Sequence, residues 1–149
     1  MEEGLNRFIE AQNTYGSYET ALQEMQEMKD GHKRSHWIWY IFPQLKGFGR
    51  SWNSEYYGLD DIDEAKAYLA HSVLGKRLKE ITSALLAHTD EDARTLMGSH
   101  IDAIKLRSSM TLFDAISPND IFAQVLDAFF SDKRDSKTLA QIDKDKERA

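Results

Sequence analysis

The sequence predicts an all-α fold, a compact multihelical single domain of six or more helices. Three observations carry that prediction. Apolar residues recur at three- and four-residue spacing along most of the chain, as a helix with one buried face requires. Residues that start and stop helices punctuate those stretches. No two alternating runs joined by a turn read as a strand pair. The chain of 149 residues is long enough to bury a core, with roughly 70% of the unfolded surface leaving water.

Taken in order, Leu5, Phe8, Ile9 and Gln12 share a face of a first helix. A second begins after Gly16, with Ser17 as N-cap and Tyr18, Ala21, Leu22 and Met25 on its apolar side; Asp30-Gly31 ends it. The apolar run Trp37 to Phe42 meets Pro43. Its periodicity does not separate a strand from a buried helix, and its helical surroundings favour a short helix. Gly47 and Gly49 mark an irregular turn. Ile62 to Leu69 is helical with an acidic start, as the helix dipole favours. Leu74, Leu78, Ile81, Leu85 and Leu86 form an amphipathic helix. Thr89 is the expected N-cap of a helix over Asp90 to Met97, stopped by Gly98.

A long helix covers Ile101 to Ala115. Ser117-Pro118-Asn119-Asp120 reads as the start of the next, with Ile121, Phe122, Val125, Leu126, Phe129 and Phe130 on its buried face. The helical domain is drawn as residues 1–132. Residues 133–149 form a charged C-terminal segment with a frayed end, in which Leu139 and Ile142 are available to dock a last turn.

Composition narrows the function classes. The net charge is −6, which disfavours a nucleic-acid partner, because a duplex binder needs a basic face. There is no cysteine, so disulfides, thiolate catalysis and cysteine-ligated metals are excluded together. The start MEEGLNRF does not read as a secretory signal, and no apolar run approaches the ~20 residues of a membrane span. A cytoplasmic protein with no membrane partner is expected.

Two segments break the inside–outside rule. In Ser35 to Gln44, Trp37, Trp39, Tyr40 and Phe42 crowd together between His36 and Gln44. One reading is a core plug; the other is an aromatic-walled pocket in which a flat ring stacks and His36 acts as acid, base or hydrogen-bond partner. The second segment is the helix from Ile101. Wound at 100° per residue, it puts Ile101, Ile104 and Leu112 on one side and Leu106, Met110 and Phe113 on much of the rest. Its polar sector surrounds Ala103, Arg107 and Thr111. Lys105, Ser108 and Ser109 fall inside or beside the apolar sectors, with Asp102 one turn before Lys105. This reads either as a buried ion pair or as the polar wall of a cleft.

Other candidates carry less. His32, Lys33, Arg34 and His36 form a small basic island. His71, His88 and His100 lack metal-ligand spacing, so no metal site is expected. Asp60, Asp61, Asp63 and Glu64 read as a solvated helix start. No phosphate-binding glycine motif or nucleophile elbow is present, and the sequence names no cofactor.

The strings SHWIWYIFPQ with GFGRS, and KLRSSMTLF, resemble the bacterial family called domain of unknown function 1810. LNRFIEAQ, DEAKAYLAHSVLGKRL and VLDAFFSDKRDSKTL extend the resemblance over most of the chain. Ser72 stands where members usually have proline, Phe48 where leucine is common, and Met97 where a bulkier residue often precedes the glycine. The resemblance implies a small multihelical protein of unestablished role. Its most family-like strings are the two segments that chemistry singles out.

Two functions follow as expectations. In the first, a small-molecule site for a nucleotide, nucleotide-sugar or other anionic ligand lies between His36–Gln44 and Lys105–Thr111. There His36 and Lys105 are the catalytic candidates, and Trp37, Trp39, Gln44, Asp102, Ser108, Ser109 and Thr111 the ligand-binding ones. In the second, the domain is a non-catalytic adaptor that binds a protein partner through an aromatic patch.

Overall fold

In a computed structural model, one 17-residue helix, His100–Ile116, forms an axis against which five other helices pack. The structure describes residues 2–27, 38–47, 51–97 and 99–148. Among these residues ten α-helices follow in chain order: α1 (Glu2–Asn13), α2 (Ser17–Glu27), α3 (Ile38–Ile41), α4 (Trp52–Tyr56), α5 (Ile62–Ala70), α6 (Leu74–Leu86), α7 (Ala93–Met97), α8 (His100–Ile116), α9 (Ile121–Phe130) and α10 (Ser136–Arg148). The class is all-α; the nearest approach to a strand is an isolated bridge between Leu45 and Leu59.

The axial helix α8 touches α3, α5, α7, α9 and α10. It therefore buries most of its circumference: Leu106, Met110, Leu112 and Phe113, and also Asp102, Ala103, Ser108, Ser109 and Thr111. The helical wheel is inverted in two places. Ala103 and Thr111, expected on the polar side, are buried, whereas Ile101 and Ile104 are 64% and 43% exposed. A neighbour explains Thr111: its hydroxyl accepts the Asp135 backbone N–H at 3.0 Å, so α10 docks on what looked like a free polar face.

Local capping follows the expected chemistry with shifted residues. Ser99 caps α8, accepting the Asp102 N–H at 3.0 Å. Asp92, not Thr89, caps α7, its carboxylate accepting the Thr95 N–H at 2.7 Å. Asp120 caps α9, while Ser117 closes α8 and donates its hydroxyl to Asp120 at 2.8 Å. The Ser-Pro-Asn-Asp string is thus a corner between two helices, with Asn119 in the left-handed region at φ 61°. Ser17 is no cap either. A 3₁₀ turn (Thr14–Gly16) leads straight from α1 into α2, so Ser17 already has helical φ/ψ, and its hydroxyl meets that of Tyr40 at 2.7 Å. The short α4, unread in the sequence, is capped by Ser51.

Three polar contacts fix α3 and the chain after it, which carry half of the candidate site. The Gln12 amide donates to the Tyr40 carbonyl at 2.8 Å. Ile38 and Ile41 are buried in the core. The Gln44 carbonyl accepts the Leu59 N–H at 2.9 Å, and Lys46 N–H returns to the Leu59 carbonyl at 2.8 Å. In the charged C-terminal segment, Ile142 is buried at 2% exposure and Leu139 is left at 39%. Asp30-Gly31, Gly49 and Gly98 lie outside the described residues. No helix among the described residues is long and apolar enough to cross a membrane.

Candidate functional site

Three parts of the chain meet beside the first turns of α8. Trp39 comes from α3 and Gln44 from the segment tied to Leu59; Ile101, Ile104, Lys105 and Ser108 come from α8; Asp135 and Lys137 come from the start of α10. They line a cavity of about 290 Å³, at the small end of the range for metabolite pockets.

Lys105 is the best-defined group in it. Its Nζ lies 4.0 Å from the centroid of the Trp39 ring and 3.5 Å from Oδ1 of Asp102. Its side chain is 19% exposed, and that of Asp102 only 4%. An ammonium between an indole face and a carboxylate is held as a cation in a defined place. The Asp102 carboxylate is itself in the first turn of α8, where the helix dipole favours negative charge. The indole face that carries the ammonium is therefore not free for a ligand ring to stack on.

Asp135 closes the opposite wall. Its Oδ2 accepts the Thr138 N–H at 2.9 Å and the Thr138 hydroxyl at 2.7 Å, capping α10. Its Oδ1 lies 3.7 Å from the Arg107 guanidinium. Thr111 braces the same corner, donating to the Arg107 carbonyl at 2.8 Å while accepting from Asp135 N–H. Of the charged groups that line the cavity, Lys105 is paired with Asp102 and Asp135 faces Arg107, so among the described residues the charge without an ion-pair partner is the cation of Lys137.

The expected site residues divide accordingly. Trp39, Gln44, Lys105 and Ser108 share the cavity wall. Asp102 contacts Lys105 from beneath, and Thr111 is fully buried as a brace. Ser109 is also fully buried, and its hydroxyl has no hydrogen-bond partner among the described residues. His36 and Trp37 lie outside the described residues, as do His32, Lys33 and Arg34. Trp39 and Tyr40 are half-buried and packed on the core, so neither forms an outward patch. Sequence reasoning missed Asp135 and Lys137, which sit in a stretch that reads as solvated. The available signal was Asp135 three residues before Thr138, the spacing of a helix cap. Among the described residues, no group of three His, Asp or Glu side chains is placed to hold a metal ion.

Comparison with known proteins adds a family and a fold relative. Residues 2–142 match the family model described as "Protein of unknown function (DUF1810)". The crystal structure of the conserved hypothetical protein Rv1873 from Mycobacterium tuberculosis is similar at 36% identity, with a TM-score of 0.82, over 91% of this chain and 94% of that one. No curated protein matches.

Proposed function

Because the chain belongs to the DUF1810 family, whose description names no activity, its function has to be read from its own geometry, and we propose that the Trp39–Lys105 cleft binds a small anionic metabolite, with nucleotides and nucleotide-sugars as the preferred class. The observation that carries the reading is the Lys105 ammonium, held over Trp39 and against Asp102 at the wall of a cavity. Lys105 receives the phosphate or carboxylate, Lys137 adds a second cation at the rim, and Gln44 and Ser108 supply polar contacts. The exposed Ile101 and Ile104 give a base or sugar an apolar wall. Trp39 serves as a platform for the cation rather than for the ligand.

A thermal-shift panel of nucleotides, nucleotide-sugars, dinucleotides and phosphorylated metabolites tests this. A ligand at ~100 times its Kd adds about 2.7 kcal/mol of stability. A stabilising compound whose effect disappears in Lys105→Gln supports the reading; one equally effective on Lys105→Gln, or a panel with no effect on well-folded protein, removes it.

One observation favours the adaptor reading. Trp52 is 68% exposed and stacks on Tyr56, with ring centroids 4.6 Å apart. A protein partner whose binding is lost in Trp52→Ala, combined with an ineffective metabolite panel, would select that reading instead.

A further inference from the structure

On the other side of Ile104 from the Lys105 cleft is a second cavity of about 330 Å³, whose lining includes Asp92, Arg94, His100, Arg107, Phe129 and Phe130. Ile104 faces both cavities, and the Arg107–Asp135 pair joins them, since Arg107 lines one and Asp135 the other.

The lining combines features seldom found together on the surface of an acidic protein. Two arginines and a histidine share its lining, while the chain as a whole carries a net charge of −6. The one carboxylate in the lining, that of Asp92, caps α7, and its bond from Thr95 N–H holds it below the usual carboxylate range, so it stays an anion, outnumbered by the two guanidinium groups. Phe129 and Phe130, at the end of α9, are half-buried and form the apolar part of the lining. Arg107 is only loosely paired, at 3.7 Å from Asp135, and its buried Nε has no hydrogen-bond partner among the described residues. Arginine forks select carboxylate, phosphate or sulfonate groups, and phenylalanine edges and faces select flat apolar bodies.

We propose that this second cavity binds a small anion carried on an aromatic body, an aryl carboxylate or aryl phosphate, with the anion at Arg94 and Arg107 and the ring against Phe129 and Phe130. The inference does not depend on the reading of the Lys105 cleft, because it uses different cations and a different apolar wall.

The test is an NMR titration of ¹⁵N-labelled protein with 2-naphthoate, its neutral counterpart 2-naphthamide, and inorganic phosphate. Saturable shifts from 2-naphthoate are expected at residues 92–94, 100–107 and 129–130, with much weaker binding of the amide and of phosphate alone. Arg94 is exposed on a short helix, so Arg94→Gln should fold normally and weaken 2-naphthoate roughly five- to tenfold. Phe130→Ala is expected to weaken it as well, and Lys105→Gln to leave it unchanged. Equal binding of acid and amide, shifts centred on Trp39, Gln44 and Lys137 that leave residues 92–94 and 129–130 unmoved, or no saturable shift would each overturn the proposal. A loss in Lys105→Gln with full retention in Arg94→Gln would assign the probe to the first cleft.

Discussion

The Lys105 ammonium lies 4.0 Å from the centroid of the Trp39 ring, so a residue of α3 fixes the position of a charge on α8. A partly desolvated cation–π contact of this kind is worth about 0.5–2 kcal/mol. Trp39→Leu keeps an apolar side chain but removes the π face, and is expected to weaken anion binding in the cleft by roughly 3- to 30-fold. Trp39→Phe should lose less. Titration calorimetry with a stabilising compound from the panel reads this; equal affinities for all three proteins would mean that the contact has no part in binding.

The same ammonium answers the buried Asp102 carboxylate at 3.5 Å. Lys105→Met keeps the length of the side chain and strands that carboxylate. Loss of a fully buried partner costs about 3–5 kcal/mol. Here the 19% exposure of Lys105 and the helix dipole behind Asp102 reduce the expected cost to about 2 kcal/mol. Adding Asp102→Asn should recover part of the loss. Urea unfolding of the two single variants and the double variant checks the cycle, and strictly additive effects would deny the coupling.

Asp135 links the cavity wall to the C-terminal helix through its two bonds from Thr138. Asp135→Ala should cost about 1–2 kcal/mol through the lost cap and speed amide exchange throughout α10. If α10 contributed nothing to the fold, neither the stability nor the exchange in the rest of the domain would change.

Ser109 is fully buried, and among the described residues its hydroxyl has no hydrogen-bond partner. Replacing such a group with a methyl removes an uncompensated desolvation cost of about 1–3 kcal/mol, offset by a small loss of packing. Ser109→Ala is therefore expected to be neutral or more stable, with unaltered ligand binding. A clear loss of stability on chemical denaturation would show that the hydroxyl has a partner.

Three tyrosines give the domain an alkaline limit. Burial pushes the phenols of Tyr18, Tyr57 and Tyr68 above the ordinary value, and a hydrogen bond from Tyr18 to Glu80 raises that phenol further. The folded state thus prefers the neutral phenol more strongly than the unfolded chain does. The associated stability is complete below pH ~10, where unfolded tyrosine ionises, and is lost as pH rises beyond it. Spectrophotometric titration should show a fraction of the six tyrosines ionising only with unfolding. Tyr18→Phe should leave one fewer in that late fraction. Smooth ionisation of all six near pH 10 in folded protein would contradict this.

The helical class was legible because periodicity and caps agree along the chain, as in the repeat of Leu74, Leu78, Ile81 and Leu85, all buried in α6. Cap identities were less so. Thr89 and Asp92 are both good caps, and only the hydrogen bond to Thr95 distinguishes them. The wheel of α8 failed for a tertiary reason. A helix with neighbours on nearly every side buries threonine and serine, and it exposes isoleucine where cavities open beside its first turns, at Ile101 and Ile104. The pairing of Asp102 with Lys105 was readable from their spacing. The placement of Lys105 over Trp39 was not, because the two are distant in sequence and meet only through packing of α3 on α8. Lys137 was obscured by the charged composition around it, which says how a segment is solvated but not where it docks.

The most direct test of the central claim follows the tryptophan indole N–H signals while the best compound from the panel is added. The protein has three tryptophans, and the signal missing from Trp39→Phe identifies the relevant one. This signal is expected to shift saturably, and the shift to vanish in Lys105→Gln. A Trp39 signal that stays still while the compound binds, or that shifts equally in Lys105→Gln, would contradict it.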